Sequence, residues 1–138
     1  MPTTTSLPDA RVEARLRADL IVWLATVRPD GRPHNVPVWF WWDGETVLIV
    51  SEPATQKVRH LRRSPHVVLA LDTADQGEDV VIAEGVAELG ERPSAEVMPA
   101  GFGAKYAPLF GRLGSDPATM AARYSQPIRV RPTRFVAW

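Results

Sequence analysis

The stretch HNVPVWFWWDGETVLIVS, residues 34–51, largely decides the predicted fold. Two β-prone runs, residues 34–42 and 46–51, flank the dipeptide Asp43-Gly44, which is a strong signal for a β-hairpin. The side chains of the first run alternate between two faces, as strand geometry requires. We therefore expect an antiparallel pair of strands in this part of the chain.

The first run of this hairpin contains Pro37, which has no amide hydrogen and cannot complete a ladder at that point. We expect this run to be an edge strand or a strand that faces a ligand. The backbone of Val36 and Val38 could then hydrogen-bond the polar rim of a flat ring. The alternative is a plain edge strand in which Trp39 and Trp41 are core or interface aromatics.

The flanking segments indicate a small, mainly β protein. Further β-prone runs occupy residues 21–27, 67–71 and 80–89 and the chain from Ile128 onward, and helical patterns occupy residues 10–20, 56–63 and 117–124. The run at 21–27 is continuously apolar, which is typical of a strand buried on both faces. In the run at 80–89, Ala83, Gly85 and Ala87 form a small-residue face that admits another backbone or a flat ligand.

The length of 138 residues predicts a single domain, residues 1–138. Within it we expect residues 1–8 to be a flexible tail and residues 91–127 to be an insertion of helices and loops. About six antiparallel strands, mostly joined by hairpins, with peripheral helices favour a small barrel.

Composition excludes several classes of function. Sixteen basic and sixteen acidic residues give a net charge of zero, so a general electrostatic grip on nucleic acid or on an anionic membrane is not expected. The chain has no cysteine, which excludes disulfides, thiolate catalysis and cysteine-ligated metals. The apolar runs are too short to span a bilayer and the start of the chain lacks a signal-peptide core, so the expected location is the cytoplasm.

The sequence carries no familiar catalytic or metal-binding motif. The spacing of His34, His60 and His66 matches no metal site, and no two carboxylates form an obvious acid–base pair. We therefore expect no metal and no catalytic side chain. If the protein is an enzyme, a cofactor carries the chemistry.

The turn from the third strand into the following helix is the candidate phosphate site. The strand ends at Ser51 and the helix begins with Thr55-Gln56-Lys57, so free helical amides, two hydroxyls and an ammonium group come together. The alternative is that Thr55 only caps the helix and Lys57 lies in solvent.

Several short motifs follow one another in a familiar order: ATV at residues 25–27 with DG at 30–31, NVPVWF at 35–40, DG at 43–44, Ser51 with Lys57, LRRSPHV at 61–67, AKY at 104–106 and YSQPIRV at 124–130. From about Ala10 onward this order resembles the pyridoxamine 5'-phosphate oxidase-like split β-barrels. Within them it is most similar to the F420-dependent branch, the flavin/deazaflavin oxidoreductases of B type.

The resemblance implies an FMN-binding split-barrel fold and a homodimer with two cofactor sites between the subunits. Carried over by position, the cofactor-binding residues are Asn35, Val36, Pro37, Val38 and Trp39 along the ring, and Ser51, Thr55, Gln56 and Lys57 at the phosphate. In the vitamin-oxidising members an arginine occupies the positions of Asn35 and Gln56. These two departures argue against pyridoxamine 5'-phosphate oxidation.

The function expected from the resemblance is an F420-dependent oxidoreductase that transfers a hydride between the deazaflavin and a small-molecule acceptor. One alternative keeps the fold and uses FMN, as in the oxidase-related flavin enzymes. A second alternative is a non-catalytic protein that binds a flavin or a tetrapyrrole.

Overall fold

The computed structural model describes residues 2–72 and 75–138. The strands are β1 (Thr3–Thr5), β2 (Val22–Val27), β3 (Pro33–Val38), β4 (Trp41–Trp42), β5 (Val47–Ser51), β6 (His66–Leu71), β7 (Val81–Leu89) and β8 (Gln126–Ala137). The helices are α1 (Ala10–Ala18), α2 (Gln56–Arg63), α3 (Ser94–Val97), α4 (Ala100–Lys105), α5 (Ala107–Leu113) and α6 (Pro117–Arg123).

All strands belong to one antiparallel sheet with the order β3-β2-β6-β7-β8-β5-β4, and β1 adds to β8. The two edges of this sheet, β3 and β4, are separated in the chain by only Trp39 and Phe40. A sheet whose opposite edges are joined by two residues must curl almost completely round. The predicted split β-barrel with peripheral helices is therefore confirmed.

The interior of the barrel is one apolar cluster, here called the barrel core. Its buried members come from α1, α2, the strands β2 and β4 to β8, and the link between β3 and β4: Val12, Leu16, Val22, Leu24, Phe40, Trp42, Val47, Ile49, Val58, Leu61, Val67, Leu69, Leu71, Val81, Ala83, Ala87, Ile128, Val130, Phe135 and Ala137. Burial of this apolar surface is the main stabilising term of such a domain.

A second apolar group, the helix-facing cluster, lies on the outer side of β5. It consists of Leu48, Val50, Phe102, Tyr106 and Phe110. Every residue of β5 is buried because α4 and α5 cover the face that points away from the barrel core. The helical segment, defined here as residues 94–123, is therefore packed against the barrel wall.

The structure corrects the expected strand boundaries in two places. Thr3–Thr5, expected in a flexible tail, pairs with residues 135–137 of β8, since three β-branched residues suit an extended strand. The run at residues 34–42 is interrupted at Trp39 and Phe40 and forms two strands. These two changes raise the number of strands above the expected six.

Burial of β2 also differs from the expectation. Its side chains alternate between buried and partly exposed, with Val22, Leu24 and Thr26 inside, rather than being buried on both faces. The helix that contacts β2 is α2, and it does so on the inner side, where His60 meets Thr26, so the side chains on the other face stay partly exposed.

Gly85 allows β7 and β8 to approach closely at a bulge. The register of the two strands shifts between Glu84 and Gly85, and a Cβ atom at Gly85 would lie 2.8 Å from the carbonyl oxygen of Arg131. The small-residue face of β7 thus accommodates another backbone, which is one of the two roles expected for it.

We expect Gly85→Ala to lower the free energy of unfolding by about 1–3 kcal/mol, because the added methyl group forces the two backbones apart. Urea denaturation measures this change. Gly111→Ala is the matched control, since Gly111 lies in α5 with nothing near its Cβ position. That substitution should stabilise the protein by up to about 1 kcal/mol. Wild-type stability in Gly85→Ala would contradict the close approach.

Candidate cofactor site

A cleft of about 690 Å³ lies between the barrel and the helical segment. On the barrel side it is bounded by the end of β3, by β5 and by the start of α2; on the other side it is bounded by α5 and α6. The lining residues are Ile21, Pro37, Val38, Trp39, Val50, Lys57, Phe110, Leu113, Ser115, Thr119, Met120, Arg123 and Tyr124. Four of the nine predicted binding residues therefore line one cleft, namely Pro37, Val38, Trp39 and Lys57.

The edge position of β3 confirms the interpretation of Pro37. In the described sheet β3 pairs only with β2, and Arg28 N donates to Arg32 O at the start of the hairpin. Because hydrogen-bonded and non-hydrogen-bonded pairs alternate in an antiparallel ladder, Asn35 and Pro37 occupy non-hydrogen-bonded positions. Their backbone groups point away from β2, towards the open edge.

This register corrects one expectation about the ring. The amides and carbonyls of Val36 and Val38 face β2 and take part in the ladder. The groups available at the edge are instead the N–H and C=O of Asn35 and the C=O of Pro37. The Asn35 side chain itself is exposed on the outer face of the sheet, away from the barrel core.

The hydroxyl groups at the predicted phosphate site already form hydrogen bonds within the chain. Ser51 Oγ donates to Glu52 O at 2.8 Å and lies 3.0 Å from Thr55 Oγ1, which contacts the same carbonyl at 3.3 Å. Ser51 is buried. Thr55 occupies the N-cap position of α2 but its side chain makes no capping bond, so the amides of the first helical turn have no side-chain partner there.

Lys57 places a cation inside the cleft. Its side chain is half-buried, and burial lowers the pKa of its ammonium group, while the nearby Glu52 acts in the opposite direction. The ion pairs within the described ranges do not include Lys57. Gln56 is exposed beside it. A partly desolvated ammonium group at a helix start favours an anionic ligand.

Arg123 provides a second cation at the opposite wall. Its Nε donates to Glu52 Oε1 at 2.7 Å, which links α6 to the turn between β5 and α2. Within the described residues that line the cleft there is no carboxylate. The site therefore combines apolar walls with positive charge, and Glu52 lies at its margin.

Comparison with known proteins identifies the family. Residues 8–137 match the family described as Pyridoxamine 5'-phosphate oxidase. The chain belongs to this family. Members of the pyridoxamine 5'-phosphate oxidase family share a flavin-binding fold.

Solved structures similar to this family member carry different titles. A structure titled F420 Reductase is 31% identical, has a TM-score of 0.69 and covers 94% of this chain and 98% of its own. A conserved hypothetical protein from Mycobacterium tuberculosis is 25% identical, with a TM-score of 0.76 and coverage of 96% and 84%. The heme storage protein HutZ from Vibrio cholerae is 17% identical, with a TM-score of 0.66 and coverage of 95% and 95%, and shows the fold alone.

Two negative findings apply to the described residues of this family member. They contain no helix that is long and apolar enough to cross a membrane. They also contain no group of three or more histidine, aspartate or glutamate side chains arranged to hold a metal ion.

Tyr106 fixes the helical segment of this family member to the barrel. Its hydroxyl donates to Leu20 O at 2.7 Å and accepts from Phe40 N at 2.9 Å, and its ring stacks on Trp39 with centroids 4.3 Å apart. Trp41 packs against Gly101 so closely that a Cβ atom there would overlap its ring. Trp39 and Trp41 thus pack against the chain's own helices.

Lys105 reinforces this attachment. Its Nζ donates to Phe40 O at 3.0 Å and lies 3.8 Å from the centre of the Phe40 ring. Burial lowers the pKa of Lys105 to about 8, which outweighs the attraction of Asp19. Burial also raises the pKa of the Tyr106 hydroxyl.

The individual residues of the far wall were not predicted from the sequence, namely Phe110, Leu113, Thr119, Met120, Arg123 and Tyr124. The only available signal was helical spacing of apolar residues in a glycine-rich stretch. That signal indicates a helix with a buried face and does not say which surface the face covers.

The pKa of Lys105 predicts a pH dependence of stability. Between about pH 8 and its ordinary pKa of 10.5, the unfolded chain holds a proton that the folded chain has lost. The contribution of Lys105 to the free energy of unfolding therefore rises with pH in this range. Above pH 10 the raised pKa of Tyr106 acts in the opposite direction.

We expect Lys105→Met to reduce the rise in the free energy of unfolding that urea denaturation measures between pH 8 and 10. Arg112→Met in α5 removes an exposed charge from the same helical segment, so it should leave the pH dependence unchanged. An identical rise in Lys105→Met and the wild type would show that Lys105 is not the titrating group.

Proposed function

We propose that the protein is an F420-dependent oxidoreductase that transfers a hydride between a deazaflavin cofactor and a small-molecule acceptor. The observation that carries the proposal is that one cleft contains both the half-buried ammonium group of Lys57 and the open edge of β3. The similarity to the F420 reductase structure supports F420 in particular.

The residues at the cleft fit a cofactor with a flat ring and a ribityl phosphate. Lys57 and the uncapped amides at the start of α2 would hold the phosphate. The Asn35 amide and the Pro37 carbonyl at the open edge of β3 would meet the polar rim of the ring. Ser51 and Thr55 would hold the turn between β5 and α2 in place through their hydrogen bonds to Glu52 O, rather than donate to the ligand.

The chain's own residues have a placing and shielding role in this proposal. Bound F420 supplies a ring carbon that can give or accept a hydride. Val38, Trp39, Val50 and Phe110 make the cleft walls apolar, and such walls exclude water from a bound ring. In this proposal binding and orientation are the protein's contribution.

The proposed assembly is a homodimer with cofactor sites between the subunits. Its support is an uncovered apolar row across the outer face of the sheet. The row crosses five strands, and each of its residues is the register partner of the next: Pro37, Trp23, Ala70, Ile82 and Val136. A contiguous apolar surface of this kind favours association with a second protein surface.

FMN is the second candidate cofactor because the family has a flavin-binding fold. Both cofactors present a tricyclic ring and a ribityl phosphate, so the same contacts serve either one. The vitamin-oxidising members have arginine where this chain has Asn35 and Gln56, and this difference weakens the case for tight FMN binding. A yellow purified protein with a flavin spectrum would favour FMN.

We expect F420 to bind with one molecule per chain and micromolar or tighter affinity, measured by its fluorescence. Lys57→Ala should weaken binding by about 1–3 kcal/mol, because a charge-assisted contact is lost. Arg62→Ala is the matched control, since it removes an exposed cation from the same helix. Oxidation of reduced F420 with a panel of acceptors then tests turnover.

Two outcomes would contradict this function. Absence of F420 binding in the micromolar range would reject the cofactor. Equal affinity of Lys57→Ala and the wild type would reject the phosphate site. Tight binding without turnover across a broad panel would instead support the non-catalytic alternative.

A further inference from the structure

A buried polar cluster lies beneath α2, close to Lys57. Thr26 of β2 and His60 of α2 are both buried, and Thr26 Oγ1 lies 2.8 Å from His60 Nδ1. His34 of β3 is the register partner of Thr26, and its ring meets the His60 ring edge to face with centroids 5.0 Å apart. The two strands β2 and β3 and the helix α2 thus bring two imidazoles into contact.

His60 connects this cluster to the candidate phosphate site. Residues three apart lie on the same side of a helix, so His60 follows Lys57 by one turn. The charge of Lys57 also acts on His34. The histidine pair therefore lies next to the cation of the cleft rather than in a separate region.

His34 has an unusual hydrogen-bonding state. Its Nδ1 atom is buried and has no hydrogen-bond partner within the described ranges. Buried polar atoms are nearly always bonded, and an unpaired one costs free energy. Because no hydrogen bond stabilises either the protonated or the neutral form of this nitrogen, the charge of the ring depends on the surrounding electrostatic field.

The charged groups that face the pair are all cationic. Arg28, which follows β2, and Lys57 and Arg59 of α2 act on one or both rings, and His34 acts on His60. Burial, followed by these charges, lowers the pKa of both histidines. An anion bound at Lys57 would offset this field.

We propose that His34 is a proton-binding residue of the anion site, so that a phosphate-type anion docking at Lys57 is accompanied by uptake of one proton by His34. His60, held by Thr26, is the positioning residue that keeps the His34 ring in place. The inference rests on the proposed function because it uses the same phosphate site. It adds that anion affinity falls as pH rises through the titration of His34.

Sulfate is a suitable probe because its charge does not change over the titration range of histidine. Isothermal titration should show that the affinity of the wild type for sulfate decreases several-fold as the pH is raised through that range. His34→Gln should flatten this pH dependence while retaining sulfate binding. His66→Gln, which changes an exposed histidine on β6, should keep the dependence of the wild type.

A second measurement does not depend on any variant being folded. The titration midpoint of His34, followed by NMR of its imidazole carbon-bound protons in the wild type, should rise when sulfate is added. An unchanged midpoint would overturn the inference.

The results separate this inference from the proposed function. If sulfate binding requires Lys57 but His34→Gln keeps the pH dependence, His34 is not the proton-binding group, and the phosphate site stands. If sulfate binding is the same in Lys57→Ala and the wild type, the phosphate site itself is wrong and both proposals fail.

Discussion

Phe40 lies between two strands of one sheet, and the hydroxyl of Tyr106 binds its amide at 2.9 Å. Without this bond the buried Phe40 N–H would be unpaired, because the ladder ends at Val38 and resumes at Trp41. The same hydroxyl donates to Leu20 O, just before β2. The Tyr106 side chain therefore supplies the hydrogen bond that is missing where the ladder is interrupted, and it fixes the helical segment beside the barrel wall.

The cleft follows from this constraint. Because Tyr106 lies at the junction of α4 and α5, α5 and α6 are held opposite the open edge of β3. The apolar walls come from Val38, Trp39, Val50 and Phe110, and the positive charge comes from Lys57 and Arg123 on opposite sides. Glu52 pairs with Arg123, which keeps that carboxylate at the margin of the cleft. One side of the cleft is therefore formed by the barrel and the other by the helical segment.

The parts that could be predicted from the sequence are those determined by local patterns. The Asp43-Gly44 turn, the edge position of Pro37 and the start of α2 near Gln56 depend on residues a few positions apart. The break at Phe40 and the far wall of the cleft could not be predicted. Tyr106 and Phe40 are 66 residues apart in the chain, and nothing in either local segment specifies that contact. The direction of the Val36 and Val38 amides likewise depends on the register with β2.

Backbone amide chemical shifts, followed by NMR during titration with F420, would show where the cofactor binds. The largest changes should occur at Asn35 along the edge of β3 and at Gln56 and Lys57 in the first turn of α2. Changes confined to the surface formed by α3 and α4, with the amides of β3 and α2 unmoved, would contradict this prediction.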